Sequence, residues 1–238
     1  MPLAVAYLLP CAIWLLLARL RPGWWPAPPA PATDRPRLDL ALGCLGIAGV
    51  LGIGEFYRRG WLFPATPLGW VADNLIIYSP IFVVLLARRQ RTDAIYLSLR
   101  GAHKKLLLGA ACALASTAVF LALRGELDRF AGLFTSWSRQ RTAAFVPVFL
   151  EGVALAFLVV RLRWVSGTAV AASIPALLFA LAHVPSQLAE GRSAAAIVAF
   201  FAVNTGLVAI VLLVLQRSQD VIWLGLVHYL MDVAIGAV

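Results

Sequence analysis

Eight apolar stretches, each long enough to cross a lipid bilayer, limit what this chain can fold into more than any other feature. A transmembrane helix needs about 20 mostly apolar residues, with a usual range of about 17–25. By that rule the sequence predicts spans at 2–19, 38–55, 69–87, 105–124, 143–160, 168–184, 193–215 and 220–237. The predicted fold is therefore all-α, a polytopic transmembrane helical bundle of about eight spans that form one integrated membrane domain.

Composition supports a membrane protein and argues against a nucleic-acid-binding one. Hydrophobic residues make up 62% of the chain and charged residues 13%, against about 45–50% and about 25% in soluble domains. The net charge of +9 lies mostly in short loops, where membrane topology and anionic lipid account for it. We therefore expect an integral membrane protein with the lipid bilayer as a partner and no nucleic acid. The membrane itself is expected to be a bacterial inner (plasma) membrane.

The N-terminal segment and the charges of the loops predict how the chain is oriented in the membrane. The N-terminal segment lacks a basic region and a clear small-residue cleavage site, so we expect a retained span and not a signal peptide. One set of alternate loops holds 13 Lys and Arg residues and the other holds 7. The positive-inside rule then places both termini outside the cytoplasm, with 88–105 as the main cytoplasmic loop. Segment 125–142 mixes aromatic residues with charges and predicts an amphipathic surface helix.

Four ionisable residues lie inside predicted spans, where such groups are costly and usually functional. They are Glu151, His183, His228 and Asp232. At ~1.5 Å per residue in a ~30 Å core, they lie between ~12 and ~22 Å above the inner face. His228 and Asp232 are separated by four positions, so they share a helix face. A common depth is what a single site requires.

Other interpretations of these residues are open at this point. A lone membrane histidine is often an interhelical hydrogen bond, and a buried glutamate can be held neutral. The four groups could also ligate zinc, although the chain has no HExxH and no CxxC motif; we therefore expect no cofactor, with zinc as the alternative. A proton-relaying transporter would more often show inverted repeats and broken helices, and the sequence indicates neither. Asn204 is predicted to hydrogen-bond between helices.

Three short motifs resemble those of the CPBP family of intramembrane proteases, which includes the CAAX proteases and bacteriocin-processing proteins. Phe179 to His183 resembles the family's FxxxH motif, and His228 to Asp232 resembles Hxxx[N/D]. The family's EExxxR motif aligns at Glu151, but its second glutamate and its arginine are here Gly152 and Ala156. Positions 152 and 156 have the i, i+4 spacing of a helical ion pair, so the loss of both the glutamate and the arginine leaves no unpaired charge.

The resemblance implies two parts and a glutamic-type mechanism. Residues 143–238 would form a CPBP-like four-helix catalytic core, and 1–142 an N-terminal scaffold of about four spans with the surface helix. Glu151, assisted by His183, would activate a water, and His228 and Asp232 would stabilise the oxyanion. The implied function is an endopeptidase that cleaves a membrane-anchored or exported protein near its C-terminal anchor, similar to the myxosortase branch. A non-catalytic immunity or scaffold protein with the same fold, or a zinc-dependent intramembrane protease, is the alternative.

Overall fold

A computed structural model describes residues 2–20, 33–60, 63–64 and 66–236. The described residues form α-helices joined by short connections, with one 3-10 turn at Thr92–Ile95. The helices, in chain order, are α1 (Pro2–Leu20), α2 (Pro36–Arg58), α3 (Pro67–Ile77), α4 (Ser79–Ala87), α5 (Ala102–Arg124), α6 (Arg129–Thr135), α7 (Arg139–Ser166), α8 (Thr168–Ala182), α9 (Val184–Ala189), α10 (Ala194–Ser218) and α11 (Val221–Ile235).

The described helices make the expected all-α bundle. Six helical segments are long and apolar enough to cross a membrane, namely α1, α2, α5, α7, α8 with α9, and α10. The bent pair of α3 and α4 makes a seventh if it is one span. The last apolar helix, α11, has only 15 residues, which at ~1.5 Å per residue is shorter than a ~30 Å hydrocarbon core.

The sequence prediction of unbroken helices is wrong at Tyr78, where α3 and α4 meet at an angle of 41°. The cause is Pro80, which has no N–H to offer to the Ile76 carbonyl one turn earlier. The Ser79 hydroxyl donates to that carbonyl instead, at 2.8 Å. The freed backbone group is therefore satisfied while the helix axis changes direction.

Helix α11 lies against both α5 and α7, and two glycines permit this close approach. A Cβ built on Gly109 of α5 would lie 3.0 Å from Trp223 Cα, and one on Gly225 would lie 2.5 Å from Phe149 Cδ2 of α7. At the start of α7, the Tyr229 hydroxyl donates to Arg141 O at 2.7 Å. Small residues at helix contacts bring backbones together in this way in membrane bundles, and here they fix the position of α11.

Arg161 is not a loop residue, as the predicted span boundary at 160 implied, because α7 continues to Ser166. Its side chain is fully buried, with the guanidinium carbon 3.4 Å from the centroid of the Phe157 ring. It donates to Phe157 O at 2.9 Å and to Gln90 Oε1 across the bundle. Gly43 of α2 makes room for it, since a Cβ there would lie 2.4 Å from Arg161 Cδ.

The surface helix predicted over 125–142 is shorter than expected. Helix α6 covers only Arg129–Thr135, because Ser138 starts a new helix by accepting a hydrogen bond from Arg141 N at 3.2 Å. Leu133 is buried under this segment, while Phe134 and Trp137 stay exposed and stack with ring centroids 6.2 Å apart. The apolar side chains of this segment therefore divide into two groups, with Leu133 buried against the bundle and Phe134 and Trp137 exposed.

Candidate active site

His228 lies between two carboxylates that come from two helices. Its Nδ1 is 3.9 Å from Glu151 Oε2 on α7, and its Nε2 is 3.6 Å from Asp232 Oδ2 one turn further along α11. Both separations are longer than a hydrogen bond, and such contacts in ligand-free sites often tighten when substrate binds. The three side chains are partly buried, with exposed fractions of 15% for His228, 31% for Glu151 and 19% for Asp232, so water can still reach the glutamate.

His183 lies at the junction of α8 and α9, where the helix ends ahead of Pro185. Its Nδ1 is 2.8 Å from Phe179 O, and because a carbonyl only accepts, Nδ1 carries the proton. That carbonyl is among the last of α8, which have no partner within the helix. A neutral His183 therefore leaves Nε2 free to accept a proton.

The two histidines face one cavity of about 160 Å³ that is lined by residues of α1, α7, α8, α10 and α11. The Phe179 ring lies between them, with its centroid 4.5 Å from that of His183 and 6.3 Å from that of His228. Asp232 also lines this cavity, and Glu151 adjoins it through His228. A cavity of ~150 Å³ holds a benzene-sized group, and a water occupies ~30 Å³. The space suits a few waters or one apolar side chain.

The structure pairs the predicted residues differently from the sequence-based expectation. Glu151 was expected to work with His183, but among the described residues His183 has no carboxylate oxygen within 4.0 Å of its ring nitrogens. His228 has two. Asp232 was expected to stabilise the oxyanion with His228; its Oδ2, 3.6 Å from Nε2, is placed to orient His228.

The departures from the EExxxR motif fall on the packed side of α7. Ala156 has no exposed surface, so an arginine at that position would be buried. Gly152 lines the cavity, and a Cβ there would already be in van der Waals contact with Val221 Cγ2 at 3.5 Å. Glycine therefore keeps part of the cavity open where a glutamate would fill it.

Several residues near the site were not predicted, or were predicted in another role. Tyr7 of α1 lines the cavity with its ring centroid 6.3 Å from that of His228. Asn204, expected to bond between helices, instead donates within α10 to Phe200 O at 2.9 Å and lines the cavity. A tyrosine in an apolar run resembles ordinary membrane composition, so the sequence gives no signal for these roles.

A zinc site formed by the four predicted residues was the alternative. Within the part of the chain that the structure describes, no group of three or more His, Cys, Asp or Glu side chains is placed to hold a metal ion. Cys11 and Cys112 are buried and Cys44 is exposed, all three as free thiols.

Comparison with protein-family models, with characterised proteins and with solved structures gives no match for this chain.

Proposed function

We propose that this chain is an integral membrane endopeptidase of the glutamic type. Seven of its proposed spans are α1, α2, α3 with α4, α5, α7, α8 with α9, and α10, and the shorter helix α11 is the proposed eighth. The observation that carries the proposal is that His183, His228 and Asp232 line one small cavity and that Glu151 lies beside it, 3.9 Å from His228. The four residues come from three different helical segments. Ionisable groups gathered inside an apolar bundle are expensive, and a structural role would not require four of them. The resemblance to the CPBP family's motifs points to the same chemistry.

In the proposed reaction Glu151 is the general base. It takes a proton from a water in the cavity as the oxygen attacks the substrate carbonyl. His228, oriented by Asp232 through Nε2, offers Nδ1 to accept the proton that Glu151 has taken. His183 faces the same cavity from the opposite wall. Neutral and protonated at Nδ1, it accepts a hydrogen bond from that water through Nε2, and the proton held on His228 Nδ1 passes to the leaving amide nitrogen as the C–N bond breaks.

The substrate is proposed to be a membrane-anchored or exported protein, cut near its C-terminal anchor. The cavity opens among apolar walls that include Leu155, Leu207 and Val211, which suit one apolar side chain beside the scissile bond. We propose that both termini lie outside the cytoplasm, as the loop charges favour, and that the membrane is a bacterial inner membrane.

The test compares cells that lack the chain with cells complemented by the wild type, by Glu151→Gln or by Glu190→Gln. Glu190 is the matched control, because it is an exposed glutamate that pairs with Arg192 at 3.1 Å away from the cavity. We expect one anchored protein to accumulate at higher mass in the null and Glu151→Gln membranes, and Glu190→Gln to restore cleavage. Full function of Glu151→Gln would refute a protease and favour a non-catalytic scaffold protein.

A further inference from the structure

A second, larger cavity lies where α1, α7 and α10 end, away from the histidines. Its volume is about 610 Å³, within the range of about 300–1,000 Å³ that small-ligand sites occupy. Three arginines line it, each from the last turn of a different helix: Arg19, Arg163 and Arg217. The remaining walls are Trp14, Leu15 and Ala18 of α1, with Gln216 and Gln219.

The arginines leave this cavity with net positive charge. Among the described residues none of the three has a carboxylate partner at ion-pair distance. Arg163 is held in place by donating to Gln216 O at 3.1 Å, while Arg19 and Arg217 are exposed. Each helix C-terminus contributes about half a negative charge, which offsets about half of the three positive ones. An anion bound here would neutralise the remaining positive charge.

The apolar wall defines what kind of anion fits. Trp14 is buried and Leu15 is exposed beside the arginines, so a ligand would meet cationic groups at one end and hydrocarbon along α1. The same end of the bundle carries the larger set of loop arginines and lysines, which places it on the cytoplasmic side. Basic pockets between membrane helices on that side suit anionic lipid headgroups.

We propose that this cavity binds the phosphate headgroup of an anionic phospholipid, with an acyl chain lying along Trp14 and Leu15. The inference rests on the membrane orientation proposed above and not on proteolysis. Lipid retention can be measured without any substrate, so its failure and the failure of the protease assignment are distinguishable.

The experiment reconstitutes the full chain in nanodiscs of equal phosphatidylcholine and phosphatidylglycerol and measures retained lipid by native mass spectrometry. One surface arginine is worth about five-fold in attraction to anionic lipid, so Arg19→Gln with Arg217→Gln should lower phosphatidylglycerol retention by about 25-fold. The control is Arg139→Gln with Arg192→Gln, which removes the same charge at the other ends of α7 and α10. It should retain the lipid as the wild type does.

A second measurement distinguishes binding of a lipid from binding of free phosphate. Millimolar glycerol 3-phosphate or inorganic phosphate should not displace phosphatidylglycerol, because neither ligand has a chain for the apolar wall. Displacement by either would overturn the lipid assignment. Equal retention by the wild type and the Arg19/Arg217 variant, or equal loss in the control, would overturn the site.

Discussion

Gly225 controls how closely α11 approaches α7, and substituting it with alanine tests that geometry. The new Cβ would lie 2.5 Å from Phe149 Cδ2 and 3.2 Å from Cε2. The Phe149 ring is stacked on Phe145 with centroids 5.5 Å apart, so moving it loses a contact worth about 0.5–1.5 kcal/mol. Overpacking of this kind costs about 1–3 kcal/mol.

The substitution also improves helix propensity by about 0.8–1.0 kcal/mol, which hides part of the penalty. Gly206→Ala in α10 is the matched control, because nothing lies within 4 Å of a Cβ there. We expect Gly225→Ala to have a free energy of unfolding about 1–3 kcal/mol below that of Gly206→Ala. For chains of this size that is a difference of about 2–12 °C in Tm.

Thermal unfolding in detergent, followed by circular dichroism, measures the difference. In a Phe149→Leu background the penalty of Gly225→Ala should shrink, because the overlapping ring atoms are gone. Gly225 is three residues before His228, so the same displacement would lengthen the 3.9 Å separation from Glu151. Equal stability of Gly225→Ala and Gly206→Ala would refute the argument that this glycine sets the α7–α11 contact.

Three further predictions concern pH, metal and topology. Burial raises the pKa of the Asp220 carboxyl to about 6, from an ordinary value of 3.8, and Lys105 opposes the shift. Because the folded pKa is raised, the protonated group stabilises the fold at low pH, and this is lost as pH rises from about 4 to about 6. Asp220→Asn should therefore match the wild-type Tm at pH 4 and exceed it at pH 8; equal Tm values at pH 8 would contradict this. Proteolysis should survive strong chelation, whereas stoichiometric zinc that disappears in His183→Ala would favour the zinc alternative. A phosphatase fusion at Val238 should be active and a fluorescent fusion in loop 88–101 should fluoresce; the reverse pattern would show that the topology is inverted.

Much of the secondary structure followed from the sequence, because long apolar runs have few alternatives to a helix. Helix α1 was expected at 2–19 and covers Pro2–Leu20, and α10 was expected at 193–215 and covers Ala194–Ser218. Local spacing also placed parts of the site. The i, i+4 separation put Asp232 within 3.6 Å of His228, and the same separation set His183 against Phe179 O.

Which helix faces meet was decided only by the tertiary structure. In a helix that is apolar on every side, hydrophobic periodicity does not indicate the buried face, so packing of small residues and prolines determines it. Tyr7 reaches the cavity from α1, Arg161 is buried beside Gly43, and Glu151 meets His228 instead of His183. The sequence by itself determined which ionisable groups lie inside the apolar helices. The energetic cost of a charge in such a segment depends on the residues next to it along the chain. The partners of these groups depend on how neighbouring helices are rotated and how closely they approach. Both are set by contacts between distant parts of the chain.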